Sequence, residues 1–110
     1  MNYVDKKIAL QYLANSELIF NKLKNSFLNS YKNGEATITK LVNDKNIDEL
    51  YRYIHSIKGI SLNVGSQVLY DDSVLVLEKL KKEEIDLPLI KRFIETLRFV
   101  CKEQIGRAHV

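Results

Sequence analysis

The chain has 110 residues with one proline, four glycines and no tryptophan, and 45% of it is apolar against 28% charged. These proportions fit a single small domain with one core, and they exclude intrinsic disorder, a collagen-like repeat and a linker composition. Seventeen basic and fourteen acidic residues give a net charge of +3 spread along the chain, too mild and too interspersed to imply nucleic acid. No run of apolar residues is long enough for a membrane span, and the opening MNYVDKKIALQYL carries charges where a signal peptide would carry its apolar run. A cytoplasmic location is therefore expected. Neither a G-x-G-x-x-G nor a G-x-x-x-x-G-K-[ST] motif occurs, and a nucleotide-binding domain would leave no room for anything else. Any phosphoryl chemistry would need a donor carried by another protein or domain.

Residues 4–13 form a short amphipathic segment with Ile8 and Tyr12 on one side. Asn15 or Ser16 can then cap a helix from Glu17 to about Lys32, in which Leu18, Ile19, Leu23, Phe27, Leu28 and Tyr31 recur at spacings of three and four. Asn33-Gly34 is read as the end of that helix, and residues 36–43 as a short helical turn returning Ile38, Leu41 and Val42 to the core. Asn46, with Glu49 three residues on, has the form of a reciprocal capping box and opens a helix that runs to about Asn63. Gly65 supplies a left-handed exit and Ser66 a cap for a helix over 67–82. Asp86-Leu87-Pro88 starts the last helix, with proline in the first turn, and Phe93, Ile94, Leu97, Val100 and Cys101 give it an apolar stripe. Nothing alternates with period two for long enough to make a sheet. The expected fold is all-α, an antiparallel up-down four-helix bundle with an additional short N-terminal helix, because short connections force helical neighbours to run antiparallel. One domain spans residues 1–105, and 106–110 read as an unanchored tail or a cloning remnant.

Cys101, the single cysteine, has no internal disulfide partner and reads as a semi-buried structural thiol beside Phe99 and Val100. Phe20, Phe27, Tyr31, Phe93 and Phe99 read as core aromatics.

A helical wheel divides residues 46–64 into two arcs. Ile47, Leu50, Tyr53, Ile54, Ile57, Ile60, Ser61 and Val64 share the apolar arc, and Asp48, Tyr51, Arg52, His55, Lys58, Gly59 and Leu62 the opposite one. His55 projects about 150° from the centre of the apolar arc. It is an outward histidine, and Lys58 lies one turn away on its face, where an ammonium can offset added phosphoryl charge. Gly59 costs about 1 kcal/mol relative to alanine at a mid-helix position. Empty space beside the imidazole is the reading that justifies it.

The run His55-Ser56-Ile57-Lys58-Gly59, followed by Gly65, resembles the motif of the histidine-containing phosphotransfer (HPt) family, H-x-x-K-G with a second glycine six residues after the first. The likeness extends over almost the whole chain, through Ser16-Glu17-Leu18 to Phe27, the lead-in from Asn46 to Tyr53, and Gly65 with Leu69. The resemblance implies a histidine phosphotransfer protein of a two-component phosphorelay. His55 would accept a phosphoryl group on Nε2 from a phospho-aspartate receiver domain or a kinase and pass it to another receiver aspartate. Imidazole is a competent nucleophile near neutral pH, and its phosphoramidate is labile enough to hand the group on.

By the same resemblance, Lys58 would hold phosphate oxygens, Gly59 would give steric clearance, and Gly65 would make the helix turn. Tyr51, Arg52, Leu62, Val68 and Leu69 would form the docking surface. The partners implied are response-regulator receiver domains or a sensor histidine kinase. No cofactor or metal is expected in this domain, and Mg is expected in the partner receiver, which would stabilise charge during transfer. The chain departs from the family late in the fourth helix. Counted from Gly65, the family's leucine-glutamate pair falls on Val76-Leu77, and Glu78 stands one position later, about 100° off the expected face. Gln67, Asp71 and Asp72 are the accessory polar candidates near His55, with water as an alternative.

His109 lies in the tail and receives no role. No membrane or nucleic-acid partner is expected, and without a long heptad seam the protein should be a monomer. The competing reading is a non-catalytic helical adaptor or weak nucleic-acid-binding bundle that uses Lys22, Lys24, Lys32 and Lys40 as a mild basic surface. It leaves Gly59 and the outward His55 unexplained.

Overall fold

The computed structural model describes residues 2–108, and among them the chain is helical throughout, with no strand. The helices are α1 (Lys6–Tyr12), α2 (Glu17–Tyr31), α3 (Gly34–Asn43), α4 (Ile47–Ser61), α5 (Gln67–Lys81) and α6 (Leu87–Ala108), and a 3-10 turn over Leu62–Val64 follows α4. Helix α6 thus continues through the first residues of the segment read as a tail, while His109 lies outside the described residues. No helix among the described residues is long and apolar enough to cross a membrane.

Short polar side chains start most of these helices by accepting from free amides of the first turn. Asp5 accepts from the Lys7 amide, Ser16 from Ile19, Asn46 from Glu49, Ser66 from Leu69 and Asp86 from Leu89, at 2.9–3.2 Å. Ser16, and not Asn15, caps α2, because Ala14 and Asn15 take left-handed backbone angles in the turn between α1 and α2. The Asn46 box is one-sided, since the Glu49 carboxylate turns to the Arg52 guanidinium at 2.9 Å.

The core joins Phe27 of α2, Ile38 of α3, Leu50, Ile54 and Ile57 of α4, Leu69, Val76 and Leu80 of α5, and Phe93, Leu97 and Val100 of α6. Helix α5 packs on α4 and α6, and α3 bridges α4 and α6. The α2 stripe differs from the sequence expectation. Leu18 and Ile19 are 66% and 46% exposed, and Phe20 is buried in their place. Helix α1 lies against this face of α2, where Lys6 sits over the Phe20 ring at 5.6 Å and pairs with Glu17 at 2.7 Å. Phe99 is also more exposed than expected, stacking on Tyr3 with ring centroids 4.9 Å apart.

Gly34 does not end α2 by a left-handed turn. It opens α3, a full helix where the sequence suggested only a turn, and it is buried against α6: a Cβ there would lie 2.5 Å from Leu97 Cδ2. Cys101 is buried, and burial pushes its thiol up to about 11, which keeps it protonated near neutrality and suits a structural role.

Gly65 fixes the connection between α4 and α5. Its φ of +87° is left-handed, and a Cβ would collide with the Asp5 carbonyl. The Asp5 amide donates to the Gly65 carbonyl at 2.7 Å, so the chain entering α1 lies directly on this turn. Helix α6 completes the joint: Gln104 donates to the Val64 carbonyl at 2.9 Å, and the Glu103 carboxylate accepts from the Tyr3 and Val4 amides at 2.9 Å. Gly65→Ala meets both the steric and the conformational obstacle and should lower stability by about 1–3 kcal/mol in urea unfolding. Unchanged stability would show that the N-terminal segment can leave the turn without cost.

Candidate functional site

Helix α4 carries Tyr51, His55, Lys58 and Gly59 on the side away from its buried residues Leu50, Ile54, Ile57 and Ser61. His55 is exposed. One turn before it, Tyr51 stacks on the imidazole with ring centroids 5.9 Å apart and planes inclined by 19°. One turn after it, the half-buried Lys58 crosses to α5, where its ammonium lies 5.7 Å from the centroid of the Tyr70 ring. The ring's negative face holds the cation next to His55 without neutralising it by a carboxylate.

These side chains border an open depression of about 280 Å³ lined by Tyr12 of α1, His55, Lys58 and Gly59 of α4, Leu62 and Asn63 of the 3-10 turn, and Tyr70 of α5. Gly59 is its flat part: a Cβ built there would meet nothing within 4 Å. No neighbouring group of the fold requires a glycine at this position. The contrast with Gly34 and Gly65 is direct, since at each of those a Cβ would strike another segment.

The other residues singled out in the sequence divide into two groups. Arg52 is exposed, pairs with Glu49, and through its carbonyl accepts the Ser56 hydroxyl at 3.0 Å. Leu62 lines the depression and Val68 is half-buried. Leu69, expected on the docking surface, is fully buried in the core, because the Ser66 cap fixes the α5 register and sends positions 69, 73, 76, 77 and 80 inward. Tyr70 faces the depression in its stead.

Of the accessory polar candidates, Gln67 donates to Asp71 at 3.0 Å on the exposed side of α5. Asp72 faces α6 and not His55. It is 3% exposed, accepts the Thr96 hydroxyl at 2.6 Å, and pairs with the Arg92 guanidinium at 3.0 Å. A buried carboxylate needs such partners, so this one is committed to joining α5 and α6. Among the lysines of the basic-surface reading, Lys40 is tied to Asp44 at 2.8 Å, which raises its affinity for the proton. No group of three or more His, Cys, Asp or Glu side chains gathers as a metal site among the described residues.

Tyr12, Asn63 and Tyr70 were not singled out as neighbours of His55. Tyr12 read as part of an apolar stripe, and contacts far apart in sequence, Asp5 with Gly65 among them, bring α1 against the 3-10 turn that ends α4. Tyr70 was legible in principle, because a helix capped at Ser66 with Leu69 inward turns the next residue toward the flank of α4.

Because the Gly59 Cβ position is open, Gly59→Ala should preserve the fold and raise stability by about 0.5–1 kcal/mol in urea unfolding through better helix propensity. Destabilisation would return the glycine to a packing role. Comparison of the chain with protein-family models, curated proteins and solved structures found no match.

Proposed function

We propose that this protein is a histidine phosphotransfer protein of a two-component phosphorelay, with His55 as the residue that carries the phosphoryl group. One observation carries the reading: the H-x-x-K-G motif lies on an exposed face of α4, and the glycine leaves open space beside the imidazole where nothing in the fold demands a glycine. In this reading α2 and α3 together supply one arm of the antiparallel four-helix bundle beside α4, α5 and α6, with α1 added at the N-terminus. The domain acts in the cytoplasm as a monomeric phosphocarrier without an ATP site of its own.

In the transfer step, the lone pair of His55 Nε2 forms a P–N bond as the P–O bond of a receiver's phospho-aspartate breaks, and the aspartate leaves as a carboxylate. The ring proton passes to solvent. The reverse step reloads another receiver. A phosphoryl transfer of this kind needs positioning and charge stabilisation more than covalent work by the carrier. Lys58 sits one turn from His55 and can move from the Tyr70 face to phosphate oxygens, a charge-assisted contact. The partner receiver supplies the Mg ion. Tyr51, Arg52, Leu62 and Val68 contribute docking surface, joined by Tyr12 and Tyr70 at the depression. An adaptor without covalent chemistry gives no reason for the open glycine beside an outward histidine.

Incubation with a phosphorylated receiver domain should label the protein with acid-labile, base-stable phosphate, and His55→Gln should abolish the label. A His55→Gln protein that accepts phosphate as well as the parent does would eliminate the assignment. Gly59→Glu should leave the helical circular-dichroism spectrum intact and slow transfer at least tenfold. Parent-like transfer by Gly59→Glu would remove steric clearance as the role of this glycine.

A further inference from the structure

Whatever holds the His55 ring in place is not a hydrogen bond from the groups the sequence offered. Gln67 and Asp71 bond each other, Asp72 is held by Thr96 and Arg92, and Glu78 is exposed on α5. Among the described residues, the interaction that engages the imidazole is the stacked Tyr51 ring, 5.9 Å away at 19°. Tyr51 is itself half-buried and packed against the core, so its ring is a fixed surface and not a second loose side chain.

We propose that Tyr51 is the positioning residue for His55: its ring fixes the plane of the imidazole and so presents the nucleophilic nitrogen to an incoming phosphoryl group. This rests on the phosphotransfer reading. The chemistry of the ring supports a stack in this role. Both imidazole nitrogens lie at the ring edge, with the nucleophilic lone pair in the ring plane. A hydrogen bond would fix the ring by engaging one of the two nitrogens, whereas an offset, near-parallel aromatic neighbour restricts the tilt of the ring without engaging either nitrogen. The i,i+4 spacing on one helix keeps Tyr51 and His55 in register through any rigid movement of α4. Loss of a stack of ordinary strength should change the rate of an orientation-dependent step about two- to tenfold.

The test uses potassium phosphoramidate, a small phosphoryl donor that has no docking surface, on the full chain. Its P–N bond breaks as the bond to the imidazole nitrogen forms, and the amine leaves as ammonium with the proton displaced from the ring. The parent, Tyr51→Phe, Tyr51→Leu, Tyr51→Ala and His55→Gln proteins are compared by phosphohistidine formation, and the His55 ring protons are followed by NMR. Tyr51→Phe should match the parent in rate and keep the ring-current displacement of the His55 signals. Tyr51→Ala and Tyr51→Leu should lose that displacement and react about two- to tenfold more slowly, and the leucine variant keeps apolar bulk against the core should alanine loosen the fold.

Parent-like rates in both variants would overturn the proposal, as would His55 signals that do not move. A defect seen with a phosphorylated receiver but not with phosphoramidate would also overturn it, and would assign Tyr51 to docking. If the parent accepts no phosphoryl group from either donor, the phosphotransfer reading itself fails, and the NMR comparison still decides whether Tyr51 orients His55.

Discussion

The arrangement around His55 depends on a close backbone approach at Gly65. Because the residue has no Cβ and takes a left-handed angle, the Asp5 peptide can lie against it and exchange a hydrogen bond with its carbonyl. That contact brings α1, and with it Tyr12, to the end of α4. It also turns the chain sharply enough for α5 to pack along α4 and place Tyr70 beside Lys58. Gln104 and Glu103 of α6 then satisfy backbone groups of the turn and of the segment entering α1, namely the Val64 carbonyl and the Tyr3 and Val4 amides. The depression is thus a product of one turn, although no residue of the turn's tightest point lines it.

The three glycines in the interior of the described chain illustrate how similar residues answer to different forces. Gly34 yields space to a leucine from another helix, Gly65 to a peptide bond, and Gly59 to solvent. The first two are determined by the fold. The third is met by no other segment, so the helix carries a weakening residue beside an exposed histidine that packing does not require.

Much of this was legible in the sequence, because helix caps and apolar periodicity are local signals. The caps at Ser16, Asn46, Ser66 and Asp86 stand where short polar residues precede apolar runs, and the arc of Leu50, Ile54, Ile57 and Ser61 follows the helical period directly. What was not legible is set by contacts between distant segments. The rotation of α2 that exposes Leu18 and Ile19 goes with the burial of Phe20, whose ring is covered by Lys6 of another helix. Gly34 has the composition of a helix stop, yet its neighbour is Leu97, which no local pattern could supply. Asp72 looks like any acidic residue on a helix until Thr96 and Arg92 are known to face it. The site divides in the same way: His55, Lys58 and Gly59 lie on one helix and are read from spacing alone, whereas Tyr12 and Tyr70 arrive from α1 and α5.

The hydrogen bonds from the Tyr3 and Val4 amides to Glu103 have a topological consequence. They hold together residues about a hundred positions apart in sequence, so the path into α1 and the last part of α6 meet on one side of the molecule. A domain whose entry and exit are adjacent can be spliced between two segments of a longer polypeptide without forcing them apart, and its own chain could be reconnected there and reopened at another loop.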